Sequence, residues 1–232
     1  PIQGKGVVNG SSHKKLLAIG NLKQPVHAWG EIYTGISAKD YMDGTSNFYG
    51  VHSVTLYVDS VQVFNSTTDK VLPDENRMIN GFTDYEELTR TRRLIMRSYK
   101  LPGNRLRLLH PNENRGAVTI DEERDYHFRY VLEDNFGNRR TYQFIVKGKR
   151  QDIPEYKPEA NEMLYWNRTN VIQKPGMELV VPRYYVYEDV PLRTDMRGDS
   201  SHIAFDYILD AGRTPIHSYC DLSIGLRHMP VA

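Results

Sequence analysis

Apolar and polar positions alternate along much of this chain, most clearly between residues 117 and 147. Every second residue from Tyr126 to Leu132 is aromatic or apolar, the period expected of a half-buried strand. The segment from Asp134 to Asn138 supplies turn residues, and Gly137 within it tolerates positive φ. Alternation then resumes through residues 142–146. The pattern predicts three strands here, the last two forming a hairpin whose apolar face needs a second layer to cover it.

Shorter strands are predicted on both sides of this hairpin. Before it they cover residues 15–19 and 27–38, followed by a second hairpin over residues 51–63 that turns at Asp59 and Ser60. After it the predicted strands cover residues 163–166, 177–181, 184–187, 203–208 and 222–226. Turn sequences such as Lys174-Pro175-Gly176 separate them. Many short strands joined by turns predict an all-β fold made of Ig-like β-sandwich units.

One short helical insertion interrupts the β pattern. The sequence Thr83-Asp84-Tyr85-Glu86 matches a capping box, in which the Thr83 hydroxyl and the Glu86 carboxylate satisfy free backbone N–H groups. Arg90, Arg92 and Arg93 follow near the predicted C-terminal end, where cations suit the helix dipole. We expect this helix to lie against a sheet.

The domain boundaries are predicted from glycine, serine and proline. Residues 1–13 are rich in Gly and Ser and are expected to form a linker, followed by an Ig-like β-sandwich over residues 14–150. The segment 147–158 combines charge with Pro154 and Pro158, which disfavour both helix and strand ladder. A second, smaller β-sandwich-like domain is therefore predicted over residues 151–232.

Composition narrows the classes of function. The formal net charge is +1, so the clustered basic excess of a typical nucleic-acid-binding protein is missing. No apolar run approaches the roughly 20 residues of a membrane-spanning helix. The single cysteine, Cys220, excludes an internal disulfide and a cysteine-cluster zinc site, and we expect it to pack as a small core residue.

A zinc peptidase site is the sharpest chemical alternative. His202 and Asp206 are four residues apart and would share one face of a strand, and His217 follows downstream. A hydrolytic zinc usually needs three protein ligands and an open position for water. The chain contains no His-x-His and no His-Glu-x-x-His motif, so ordinary strand positions are favoured for these residues.

Two kinds of surface site are also predicted. Asp40, Asp43 and Asn47 lie in one polar loop that could gather oxygen ligands, although the EF-hand pattern is missing and an ordinary turn is favoured. We retain this loop and the arginines at positions 90, 92 and 93 as candidate binding residues. Exposed aromatic side chains could instead stack on sugars, although alternation favours a core role for most of them: Trp29, Trp166, Tyr184 and Tyr185.

Several strings in the first part of the chain resemble one known family. They are KKLLAIG, PVHAWGEI, YGVHSVTLYVD, DYEE, PGNRL and RGAVTIDEERDYHFRYVLEDNFGN. They resemble the region that follows the peptidase domain in M23-family, LytM-like metallopeptidases of Bacteroidetes. The resemblance covers residues 14–147 well and the remainder loosely, through residues 186–190 and 217–224.

The resemblance implies a non-catalytic accessory module of a cell-envelope peptidoglycan endopeptidase. In that family a His-x-x-x-Asp motif and a His-x-His motif hold the catalytic zinc in a separate upstream domain, so no catalytic residue is transferred to this chain. Zinc is expected only in that upstream domain, and the expected partners are the peptidase domain, peptidoglycan or another envelope protein. A periplasmic or exported location is implied. The start at Pro1, without an initiator Met, fits a piece of a larger enzyme. A zinc peptidase acting through His202, Asp206 and His217 remains an alternative, as does a stand-alone glycan-binding or adhesin-like module.

Overall fold

The chain forms two compact units that are built almost entirely of strands. The computed structural model describes residues 4–12, 14, 16–17, 24–41, 48–198 and 203–227. Unit 1 consists of residues 1–100 and 106–156, and unit 2 consists of residues 101–105 and 157–232. The predicted all-β class is confirmed. The Ig-like topology of the sandwiches stays a prediction.

The described part of unit 1 contains two short helices and a series of strands. The helices are α1 (Ile79–Phe82) and α2 (Tyr85–Thr91), preceded by a 3₁₀ turn at Asn76–Met78. The strands are β1 (Gly6–Val8), β2 (Val26–Ile32), β3 (Gly35–Ile36), β4 (Asp40–Tyr41), β5 (Phe48–Tyr49), β6 (Ser53–Val58), β7 (Val61–Thr67), β8 (Met96–Arg97), β9 (Leu109–Pro111), β10 (Val118–Ile120), β11 (Asp125–Glu133) and β12 (Arg139–Gly148).

Most of these strands join one sheet with the order β1-β2-β12-β11-β6-β7-β9, and β10 also pairs with β2. The predicted hairpin is confirmed as β11 and β12, with Phe128 opposite Phe144 and Tyr130 opposite Tyr142. The rings of Phe128 and Phe144 stack with their centroids 5.2 Å apart. The aromatic residues predicted by alternation therefore lie on one face of the sheet.

Both predicted hairpin turns are present. The Asp134 carboxylate accepts hydrogen bonds from the backbone N–H groups of Phe136 and Asn138 at 2.8 and 2.9 Å. The turn between β6 and β7 has positive φ at both Asp59 (49°) and Ser60 (70°). Two successive positive φ angles are what a type I′ hairpin turn requires.

The Tyr130 hydroxyl links the apolar face of the sheet to the segments that contain Ser98 and Thr34. This group lies 2.7 Å from the Ser98 hydroxyl and 2.8 Å from the Thr34 hydroxyl. Burial raises the pKa of Tyr130 to about 12, so its hydroxyl stays protonated in any ordinary buffer.

The predicted capping box at α2 is wrong. The N-cap is Asp84, whose Oδ1 accepts a hydrogen bond from the Glu87 backbone N–H at 3.1 Å. Thr83 lies one position earlier in an extended conformation, and its backbone bridges to Met96. Its buried hydroxyl has no hydrogen-bond partner within the described residues. The Thr83 backbone N–H donates to the Ile79 carbonyl at 2.9 Å, so it is not available for the reciprocal bond from Glu86 that a capping box needs.

The N-terminal prediction also needs correction. Residues 6–8 form β1 rather than part of a linker, with Gly6 opposite Gly30 in β2. A side chain at Gly6 would place its Cβ 2.4 Å from the Glu31 carbonyl oxygen, so this strand packs closely onto the sheet. The predicted strand at residues 15–19 lies largely outside the described residues. The predicted strand at residues 27–38 is divided into β2 and β3.

The described part of unit 2 contains two three-stranded sheets, ordered β13-β16-β17 and β14-β15-β18. Its strands are β13 (Glu162–Leu164), β14 (Asn170–Lys174), β15 (Met177–Val181), β16 (Val190–Arg197), β17 (Asp206–Asp210) and β18 (Asp221–Ile224). The two sheets share one core of Leu164, Ile172, Val181, Val186, Val190 and Leu192, and Cys220 packs against it, half-buried. Residues 101–105 add to this unit through a 2.7 Å hydrogen bond from Gly103 N–H to the Tyr187 carbonyl.

The predicted strand at residues 184–187 is wrong. Tyr184 has φ of 68°, in the left-handed region, which interrupts any extended conformation there. Strands β14 and β16 were not predicted from the sequence. Each lies between two segments that the sequence predicts as strands.

Candidate binding surfaces

An aromatic–arginine cluster lies on unit 2 and consists of Trp166, Tyr184, Arg105 and Arg183. The Trp166 and Tyr184 rings have centroids 6.0 Å apart and are tilted by 35°. The guanidinium carbon of Arg183 lies 4.4 Å from the Tyr184 ring centroid, and that of Arg105 lies 5.0 Å from it. Both rings are half-buried and both arginines are exposed, so the cluster is anchored in the unit and open to solvent.

Asn170 determines the geometry of the turn that carries Trp166. Its buried side-chain amide accepts a hydrogen bond from the Tyr165 backbone N–H at 2.8 Å. The same amide donates to the carbonyls of Tyr165 and Arg168 at 2.9 and 3.1 Å. These three hydrogen bonds from one buried side chain hold the turn in place.

Two further hydrogen bonds hold the backbone of Trp166, one from the backbone of Tyr184 and one to a side chain. The Tyr184 N–H donates to the Trp166 carbonyl at 2.9 Å, and the Trp166 N–H donates to Asp189 Oδ1 at 3.3 Å. Tyr184 is also held at positive φ, a conformation that costs a non-glycine residue about 1 kcal/mol or more. Residues held in such conformations concentrate at binding sites, which marks Tyr184 for functional study.

The chemistry of the cluster suits a ligand with apolar faces and negative charge. Aromatic faces stack on the C–H faces of sugar rings, and exposed guanidinium groups form paired hydrogen bonds with carboxylates. The cluster contains two of the aromatic residues singled out from the sequence. Of the other two, Trp29 lies in β2 of unit 1, and Tyr185 packs against the unit 2 core.

The candidate arginines around α2 have different environments. Arg90 donates to Glu87 Oε2 at 2.8 Å, and this contact lowers the pKa of the Glu87 carboxyl. Arg92 is the C-cap of α2 with φ of 63° and is exposed. Arg93 lines a cavity of about 710 Å³ on unit 1. The three do not form one site, and only Arg93 contributes to a concave surface.

The polar loop at residues 40–47 is described only at its start. Asp40 belongs to β4, which pairs with β5. Asp43 and Asn47 lie outside the described residues. The proposal that this loop binds a ligand stays a prediction.

The two candidate zinc ligands that the structure describes, Asp206 and His217, have different neighbours. Asp206 is exposed at the first position of β17, opposite Arg197 in β16. The His217 Nδ1 atom lies 3.2 Å from the Tyr187 hydroxyl, and its ring meets those of Tyr185 and Tyr187 edge-on. His202 lies outside the described residues. Across the described ranges, no group of three His, Cys, Asp or Glu residues is arranged to hold a metal ion.

The fold and the cluster define this chain as an all-β protein with a candidate ligand surface on its second unit. Residues 161–232, which form most of unit 2, match the family described as the Zu5-like domain. Neither the curated proteins nor the solved structures contain a match to the chain. In the ranges that the structure describes, no helix is both long and apolar enough to cross a membrane.

Proposed function

We propose that this chain is a non-catalytic accessory module of a cell-envelope, M23-type peptidoglycan endopeptidase. Its role is to position the peptidase on peptidoglycan or to regulate it there. The peptidase domain and peptidoglycan are its partners, and the catalytic zinc belongs to the peptidase domain. The module works in the periplasm or outside the cell.

The aromatic–arginine cluster carries this proposal. Peptidoglycan presents sugar rings beside peptides that bear carboxylates, so one surface must offer both stacking faces and cations. Trp166 supplies an aromatic face, and the guanidinium groups of Arg105 and Arg183 lie over the neighbouring Tyr184 ring. The fixed turn around Asn170 lowers the ordering cost of binding because the rings are already in place.

The sequence resemblance supports the choice of partner. The strings that resemble the region after the peptidase domain in M23-family enzymes are concentrated in unit 1. The cluster lies on unit 2, and Arg105, which stands in the string PGNRL, belongs to both sets of residues. Placing a glycan surface beside a peptidase would raise the effective concentration of the enzyme at its substrate.

Sedimentation of the purified chain with insoluble peptidoglycan tests this proposal. The double variant Arg105→Gln, Arg183→Gln removes both guanidinium groups from the cluster and leaves the rings in place. We expect its retention to be roughly tenfold weaker than that of the unmodified chain, because charge-assisted hydrogen bonds to carboxylates are lost.

The matched control is Arg140→Gln, Arg150→Gln, which removes the same charge from exposed positions on unit 1. We expect it to sediment like the unmodified chain. Equal retention of all three proteins, or no retention of any, would refute the proposed role of the cluster.

A further inference from the structure

A cavity of about 710 Å³ on unit 1 lies over the apolar face of the sheet. Its aromatic walls are Tyr33, Tyr99, Tyr142 and Phe144, and Ile36 and Ile95 add aliphatic surface. Small-molecule sites in proteins are typically apolar clefts of roughly 300–1,000 Å³ with a few placed polar groups. The cavity fits this description in size and in the character of its walls.

The charges that line the cavity do not balance. Lys14 is compensated, because its Nζ atom lies 2.7 Å from Asp84 Oδ2 and 3.9 Å from Glu87 Oε2. Arg93 and Arg97 also line the cavity. No carboxylate among the described residues pairs with either guanidinium group. Within the described ranges, the cavity therefore combines apolar walls with two guanidinium groups that have no carboxylate partner.

Arg97 provides a second and independent observation. Its Nε atom is buried and has no hydrogen-bond partner among the described residues. Elsewhere on its guanidinium, Nη1 lies 3.4 Å from the Gly81 carbonyl oxygen, and the guanidinium carbon lies 5.6 Å from the Tyr99 ring centroid. A buried donor without an acceptor is costly, and a guanidinium group is best satisfied by a carboxylate.

The Tyr130 hydroxyl is not the hydrogen-bond partner of Arg97. The Tyr130 hydroxyl lines the same cavity but is already bonded to Ser98 and Thr34. Its proton is also held firmly, since burial raises the pKa of this hydroxyl.

We propose that this cavity binds an amphiphilic carboxylate, a molecule with one carboxylate head on an unbranched apolar chain. The carboxylate pairs with Arg97 and Arg93, and the chain lies along Tyr142, Phe144 and Ile95. An apolar chain suits walls that are mainly apolar, whereas a small hydrophilic anion would leave these walls in contact with water. This site is on unit 1 and does not depend on the proposed peptidoglycan surface on unit 2.

Calorimetric titration of the full chain with decanoate tests the proposal. Acetate supplies the head without the chain, and 1-decanol supplies the chain without the charge. We expect saturable binding of decanoate with one site per chain, and binding of acetate and 1-decanol that is at least roughly tenfold weaker. Decanol bound as tightly as decanoate, or no saturable decanoate binding, would overturn the proposal.

Variants locate the site. Arg97→Gln and, separately, the exposed Arg93→Gln are each expected to weaken decanoate binding by roughly tenfold, the effect of one charge-assisted hydrogen bond. Arg92→Gln is the matched control, because this residue neighbours Arg93 but does not line the cavity. Should Arg97→Gln fail to fold, Arg93→Gln decides the question alone. Decanoate affinity unchanged in Arg93→Gln, or lowered equally in Arg92→Gln, would contradict the assignment.

Discussion

Glu75 has a buried carboxylate that forms an ion pair with Arg107. It is 3% exposed, and Arg107 donates to it from Nε at 2.7 Å and from Nη2 at 3.1 Å. The backbone N–H of Leu72 adds a third hydrogen bond at 3.1 Å. Chiefly through the Arg107 hydrogen bonds, the pKa of Glu75 falls from 4.5 to about 2.

This pKa shift predicts part of the acid sensitivity of the fold. The folded pKa lies below the unfolded value, so the stabilisation is complete above pH 4.5 and is lost as the pH falls toward 2. Glu75→Gln removes the titrating group. We expect its free energy of unfolding, measured with urea across this pH range, to fall less steeply than that of the unmodified chain. Parallel pH curves for the two proteins would contradict the assignment.

The cap of α2 gives a second prediction for single residues. Asp84→Ala removes the acceptor for the Glu87 N–H and the partner of Lys14, and should cost about 1 kcal/mol of stability. Thr83→Val removes only a hydroxyl that has no partner among the described residues, so we expect no loss or a small gain. Urea unfolding of both variants distinguishes the Asp84 cap from the capping box that the sequence suggested. A larger loss for Thr83→Val would favour the capping box.

At the level of elements, alternation predicted the strands that pair with a neighbour in sequence. The β11–β12 hairpin and its Asp134 turn follow from local chemistry alone. Strand β16 was not predicted because Pro191, its second residue, disfavours a strand. Its buried positions Val190, Leu192 and Thr194 nevertheless alternate. Pro191 pairs with Met163 in β13 and lies before the pairing of β16 with β17, which begins at Arg193, so one side of the strand is an edge at this position and tolerates proline.

Other features of the candidate surfaces could not be predicted from local sequence. Arg105 reaches Tyr184 across 79 positions only because residues 101–105 fold with unit 2. Arg97 and Tyr142 line one cavity although they are far apart in the sequence. The pairing of strands that are distant in the chain brings them together, and local sequence does not predict that pairing. Arg183 is adjacent in sequence to Tyr184, one of the aromatic residues singled out from the sequence. This adjacency is the sequence feature that could have indicated the cluster.

The end of β12 supplies a prediction about strand packing. A Cβ added at Gly148 would lie 1.8 Å from the Glu122 carbonyl oxygen, which the backbone must move to avoid. Gly148→Ala should therefore destabilise unit 1 by about 3 kcal/mol. Gly50→Ala is the control, because nothing lies within 4 Å of its added Cβ. Similar unfolding midpoints for the two variants would contradict the packing described for β12.

At the level of the whole molecule, the two units carry one tryptophan each. Trp29 lies in β2 of unit 1 and Trp166 follows β13 of unit 2, and the chain has two tryptophans in total. Single-tryptophan variants, Trp29→Phe and Trp166→Phe, therefore report on one unit at a time. This property allows the stability of each unit to be measured in the full chain.

We expect a core substitution in unit 2 to be reported mainly by Trp166. Leu164 is 3% exposed in the shared core of the two sheets, and Leu164→Ala should cost about 2–5 kcal/mol. In the Trp29→Phe background, the urea midpoint followed through Trp166 should fall. In the Trp166→Phe background, the midpoint followed through Trp29 should change little. Equal shifts would show that the units unfold as one cooperative body.

The most direct test of the proposed function uses the same tryptophans. The Trp29→Phe variant is titrated with soluble peptidoglycan fragments while the emission of Trp166 is recorded, and the Trp166→Phe variant is titrated in parallel. If sugars stack on the cluster, the emission of Trp166 will change in a saturable way and that of Trp29 will not. No change at Trp166, or equal changes at both tryptophans, would contradict the assignment of this surface to peptidoglycan.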